Sequence, residues 1–131
     1  MVPFLKGVDV SSLAELEALG ARFRDRAGER DLLRLLADHG VNAVRLRLWN
    51  DPWSPAGESY GGGGNDLPTT LALARRVRAL GLELLLDFHY SDFWADPQKQ
   101  HLPKAWRGFD DDRLAAAVRE FTEETLLALD R

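Results

Sequence analysis

Residues 41–49, Val-Asn-Ala-Val-Arg-Leu-Arg-Leu-Trp, constrain the fold more than any other stretch of this chain. Side chains alternate across a strand, so Val44, Leu46 and Leu48 share one face while Ala43, Arg45, Arg47 and Trp49 share the other. Two guanidinium groups in mid-strand disfavour an open sheet with helices on both faces. There each unpaired ion would be buried against apolar helix stripes at a cost of several kcal/mol. A closed barrel instead turns that face into a lumen, where carboxylates from other strands can pair with the cations.

The rest of the pattern alternates strand and helix. Val8-Asp9-Val10 after Gly7 reads as a short strand, followed by a brief amphipathic turn at Leu13, Leu16 and Leu19 and an irregular polar patch from Arg22 to Arg30. Asp31 is an N-cap for a helix with Leu32, Leu33, Leu35 and Leu36 on one face, stopped at His39-Gly40. Asn50 to Asn65 is a long loop containing Gly61 to Gly64. That glycine run lacks the following Lys-Ser or Lys-Thr of a phosphate-binding loop and reads as a flexible rim. Asp66 caps a second helix with Pro68 in its first turn, Leu71, Ala74, Val77 and Leu80 inward, and Gly81 as its stop.

Leu82 to Leu86 is apolar at four of five positions and predicts an interior strand, which delivers Asp87-Phe88-His89-Tyr90 at its carboxyl end. A last helix begins near Asp110 and carries Leu114, Val118, Phe121, Thr125 and Leu129 at helical spacing. Repeated strand–helix units with right-handed crossovers imply a parallel sheet. The fold class is therefore α/β, and the arginines favour a (β/α)8 TIM barrel. Such a barrel needs about 200 residues or more, and these 131 hold three units. Residues 1–131 read as the N-terminal part of a single barrel domain.

Composition excludes several other classes. Seventeen Lys and Arg against 21 Asp and Glu give a net charge of −4, with no long block of either sign, which argues against a nucleic-acid partner. No apolar run is long enough to span a bilayer, so no membrane partner is expected, and Met1 to Lys6 lacks the form of a secretory signal. There are no cysteines, which leaves the compartment open. Asp87, His89, Asp92 and Asp96 match no metal-binding spacing, and neither a metal nor another cofactor is expected.

Several segments together resemble one family. Gly7-Val8-Asp9-Val10-Ser11, Gly40 to Pro52, the glycine loop from Tyr60 to Leu67, and Asp87 to Pro97 with Pro103 and Trp106 are similar to the arabinogalactan endo-β-1,4-galactanases of glycoside hydrolase family 53. The resemblance runs almost end to end. It implies a TIM barrel that cleaves β-1,4-galactan with retention of configuration, in a family that is mostly secreted. Retention needs two carboxyl groups about 5 to 5.5 Å apart, one as acid/base and one as nucleophile. In the family both are glutamates, one in an Asn-Glu pair after the fourth strand and one after the seventh. No Asn-Glu occurs in this sequence, so no catalytic residue is assigned here, and Glu120, Glu123 and Glu124 read as a solvated helix face.

The resemblance implies supporting roles instead. Arg45 would orient the nucleophile and keep it ionised, or else form a structural ion pair with Asp9 or Asp87. Arg47 and His89 join it, with His89 able to donate to a sugar hydroxyl or to a carboxylate. Trp49, Trp53, Tyr90 and Trp94 are candidate sugar platforms, Trp94 foremost, and Asp51 and Asp92 candidate substrate contacts. Phe93 departs from the family, where a small polar residue is common, and Gln98 replaces a frequent Gly or Ala. Two other classes remain open: a non-catalytic galactan-binding piece, and a partial barrel that self-associates through open sheet edges.

Overall fold

A computed structural model describes residues 4–130. Of the Met1-to-Lys6 stretch considered above, Met1 to Pro3 lie outside the described residues. In chain order the elements are β1 (Gly7–Asp9), α1 (Leu13–Ala18), β2 (Arg24–Asp25), β3 (Gly28–Glu29), α2 (Leu32–Asp38), β4 (Ala43–Leu48), α3 (Leu67–Ala79), β5 (Glu83–Phe88) and α4 (Asp111–Leu129). A 3₁₀ turn at Lys104–Trp106 precedes α4. Strands β1, β4 and β5 form a parallel sheet in the order β1-β4-β5. The register sets Asp9 beside Arg45 and Arg47 beside Asp87.

One face of this sheet is covered by helices. Val44 and Leu46 pack there with Leu13, Leu33, Leu73, Ala74 and Val77, giving a closed apolar core. Helix starts follow from local chemistry. The side chains of Asp31, Asp66 and Asp110 accept the backbone N–H groups of Arg34, Thr69 and Arg113 at 2.9, 2.9 and 2.8 Å. The same Asp31 also meets Arg76 of α3, whose other bonds go to Glu17 of α1 at 2.8 Å, so one guanidinium ties three helices together. Burial pushes the Asp31 carboxyl up, but the Arg34 N–H and the Arg76 charge outweigh it and hold it below its usual range.

Four expectations need correction. The patch from Arg22 to Arg30 holds a small antiparallel hairpin, β2 with β3, closed by Asp25 accepting the Ala27 N–H at 2.8 Å and clamped by Arg30 on Asp25 and Asp38. Its polarity concealed it, because ion pairs and an Asx turn hold it rather than apolar periodicity. The buried stripe of α3 is Thr70, Leu73, Ala74 and Val77, with Leu71 and Leu80 only half-buried. The stripe turns because the helix packs on both β4 and β5 and also meets α4. Among the described residues β5 is an edge strand rather than an interior one, and Leu85, on the face away from the helices, is 56% exposed.

Nor is the 50–65 loop loose. Asn65 donates to the Ser11 carbonyl at 2.6 Å, the Trp49 N–H reaches the Asn65 carbonyl at 2.8 Å, and the Trp53 indole donates to Asp66 at 2.8 Å. At Gly63, where φ is +122°, a Cβ would sit 2.6 Å from the Ser11 carbonyl oxygen. Close approach therefore requires glycine there, and the run serves packing rather than mobility.

Candidate active site

The polar groups gather where β1, β4 and β5 end. Arg45 sits between two strands and bridges them, donating to Asp9 at 2.8 Å and to Asp87 through its other terminal nitrogen. The same Asp87 oxygen meets His89 Nε2 at 3.0 Å. On the far side of the imidazole the Trp49 indole donates to Nδ1 at 2.9 Å. An indole N–H can only donate, so Nδ1 accepts, and the neutral ring carries its proton on Nε2, aimed at Asp87. Trp49, His89, Asp87, Arg45 and Asp9 thus form one hydrogen-bonded chain across all three strands.

Charge placement follows from this chain. Burial raises the Asp9 carboxyl, but hydrogen bonds from Ser11 and the nearby Arg47 and Arg45 charges prevail and hold it below the usual carboxylate range. Arg47 is buried, only 6% exposed, and departs from the expected carboxylate pairing. It donates to the Gly62 carbonyl at 2.9 Å and to the Ser12 hydroxyl at 3.2 Å, and stacks 4.0 Å from the centre of the Trp94 ring. Asp9 and Asp87 act on it only through space, and burial pushes its pKa down. Its Nε has no partner among the described residues. The strand pattern located Arg47 in the lumen, but its length carries the charge past the carboxylates to the loop above.

Beside this chain lies an open cleft of about 540 Å³, lined by Arg45, Asp87, His89, Tyr90, Asp96 and His101 among others. Trp94 stands over Arg47, 6.2 Å from the His89 ring, and is 41% exposed.

Other candidates are occupied elsewhere. Trp49 is fully buried, so neither of its faces can meet a sugar, and its role is to fix His89. Tyr90, at φ +48°, turns its ring onto Phe88 and its hydroxyl onto Thr122 of α4 at 2.9 Å, which leaves it lining the cleft rather than offering a free face. Asp51 pairs with Lys104 at 2.8 Å, and Asp92 accepts the backbone N–H groups of Asp51 and Lys104 at 3.0 and 2.7 Å. These two carboxylates join loops. Trp53 is likewise tied to Asp66.

Some members of the site were not singled out from the sequence, although Ser11 lies within the Gly7-to-Ser11 motif. Ser11 accepts the Arg47 N–H at 2.9 Å, Ser12 holds the Arg47 side chain, and Lys104 reaches the carbonyls of Asp51 and Trp53 at 3.0 and 2.5 Å. All are single polar residues recruited from far along the chain. Among the described residues no cluster of three or more His, Asp or Glu could hold a metal ion, and no helix is long and apolar enough to cross a membrane.

Polar side chains gathered at the carboxyl ends of parallel strands, with helices on the opposite sheet face, are the arrangement of one arc of a (β/α)8 barrel. Comparison with known proteins makes this specific. The sequence profile of glycosyl hydrolase family 53 matches residues 5–131, and the chain belongs to that family. It is 45% identical over 124 residues to an endo-beta-1,4-galactanase of Bacillus subtilis, covering 94% of this chain and 29% of that protein. It is 41% identical to an arabinogalactan endo-beta-1,4-galactanase of Cellvibrio japonicus, covering 98% of this chain and 33% of that one. The solved GH53 catalytic domain of Ignisphaera aggregans superposes with a TM-score of 0.93 at 45% identity, covering 98% of this chain and 37% of that chain. The present chain therefore spans about a third of the length of these relatives and is a three-strand part of the barrel.

Proposed function

We propose that these residues form one wall of the galactan-binding cleft of an endo-β-1,4-galactanase, as part of a single barrel domain. The observation that carries this reading is the Trp49–His89–Asp87–Arg45–Asp9 chain at the strand ends, beside an open cleft. It presents a fixed cation and a fixed imidazole to the lumen, where a catalytic carboxylate from another strand would be oriented and kept ionised. Trp94 serves as a sugar platform, its indole held by Arg47, because a flat ring suits the C–H faces of galactose.

Neither catalytic carboxylate is among these residues. Asp9 is held ionised and cannot serve as a proton donor at neutral pH, while Asp87 is engaged by Arg45 and His89. Glu120, Glu123 and Glu124 are exposed on α4, and Glu120 is paired with Arg113 at 3.0 Å. The 131-residue chain is expected to bind β-1,4-galactan without cleaving it. Affinity electrophoresis through galactan, with a parallel assay for new reducing ends, tests both halves: retardation lost in Trp94→Ala and no released ends support the reading. Unretarded migration, or hydrolysis by this chain, would sink it.

A second reading rests on a different observation. The lumen face carries an apolar groove along Leu5, Gly7, Ala43 and Leu85, between a β1 and a β5 that each pair on one side only among the described residues. Two copies could pair these edges. A mass of one chain by light scattering would remove that reading.

A further inference from the structure

Beyond Trp94 the rim carries two more aromatic side chains that the site above does not use. Phe93 rests on Trp49, with ring centres 5.1 Å apart, and meets Trp94 edge to face at 6.4 Å and 83°. Tyr60, from the glycine loop, meets the other side of this cluster, 6.5 Å from Phe93 at 87°. Tyr60 is 42% exposed and Trp94 41%, so the cluster is anchored in the buried Trp49 and open along its rim.

The position of Tyr60 is set before any ligand arrives. Lys104 lies 3.3 Å from its hydroxyl and 5.1 Å from its ring centre, while the same ammonium holds the carbonyls of Asp51 and Trp53. Burial works against the Lys104 charge, but its bonds to Asp51 and Tyr60 prevail and raise its pKa, so the clasp stays charged at neutral pH. Lys99 lies 5.9 Å from the Phe93 ring centre and adds a donor for sugar hydroxyls at the same place. Aromatic rings fixed in advance bind without the ordering cost that a free loop would add.

We propose that Tyr60 and Phe93, with Lys99, form a further sugar subsite, continuous with Trp94 and leading away from Asp87 and His89. It takes galactosyl units of a longer β-1,4-galactan chain that a short oligosaccharide at Trp94 does not reach. Its chemistry is that of a polysaccharide platform: π-faces for the apolar sides of the sugars and an ammonium for their hydroxyls. The proposal rests on the galactan-binding reading above and extends the same surface.

The test compares long β-1,4-galactan with galactobiose as ligands for the unsubstituted chain and for Tyr60→Ala, Phe93→Leu and Trp94→Ala. Tyr60 is exposed, and leucine keeps an apolar contact with Trp49, so both rim variants are expected to melt with the parent. Both should weaken polymer binding about tenfold and leave galactobiose binding unchanged, whereas Trp94→Ala weakens both ligands. If Trp94→Ala weakens binding and the rim variants leave the polymer unaffected, the subsite is overturned while the galactan reading stands. Equal losses for polymer and galactobiose would also overturn it, since the rim would then be part of the Trp94 site. A parent chain that binds neither ligand would overturn both proposals.

Discussion

The two faces of the same three strands follow opposite rules. On the helix side Val44 and Leu46 are completely buried within an apolar cluster. On the lumen side, one residue along, Arg45 bridges Asp9 and Asp87 while Leu85 stands 56% exposed. The helix face is closed by this chain's own α2 and α3. The lumen face is organised by charge, and its polar order exists without further strands to cover it. Packing and polar order are thereby separated across a single sheet, with the packed side anchoring the strands and the open side carrying the polar groups that the proposal above assigns to a cleft wall.

Substitutions on each face can sharpen or break that contrast. Leu46→Ala should show the largest effect, a loss of about 3 kcal/mol measured by chemical denaturation, because a fully enclosed leucine leaves a cavity its neighbours cannot fill. A loss under 1 kcal/mol would mean that the helix face is not the closed core described.

An intermediate effect is expected from the charges. The folded Asp9 carboxyl titrates below its unfolded value, so it stabilises the fold above the unfolded value of about 3.8, and that contribution fades as pH falls through the lower folded value. Melting temperature measured from pH 6 to pH 2 should therefore drop less steeply in Asp9→Asn than in the parent. Parallel curves would show that the Asp9 ion pair does not support the lumen face.

Leu85→Ser should matter least, within about 0.5 kcal/mol in the same denaturation assay, since its side chain is already largely in water. A loss comparable to that of Leu46→Ala would show the lumen face covered in solution, as in a self-associated chain.

Local chemistry made much of this legible from sequence. The aspartate caps at 31, 66 and 110 lie within one turn of the N–H groups they accept, so the signal and its partner sit in the same short window. Period-two alternation likewise placed Arg45 and Arg47 on one face and predicted carboxylates to meet them. For Arg45 the partners are both Asp9 and Asp87, 36 and 42 residues away, which the sequence offered only as alternatives to each other.

Where a side chain leaves its strand, the alternation loses its hold. Trp49 extends the strand pattern by one residue, yet it is fully enclosed and donates to His89, 40 residues on, rather than facing a sugar. Tyr90 is turned by a positive φ, and Asp51 and Asp92 are drawn into a clasp around Lys104. No local pattern marks such contacts, because they depend on which loops meet above the strands.

The sequence by itself determined the order of the three parallel strands, the caps of α2, α3 and α4, the polar face of β4 and the resemblance to family 53, but not the β2–β3 hairpin. Periodicity, capping and motif order are properties of neighbouring residues. Only the tertiary structure decided which aromatics stay open and which polar groups are already paired. A ring or a carboxylate is available to a ligand only if no other part of the chain has satisfied it first.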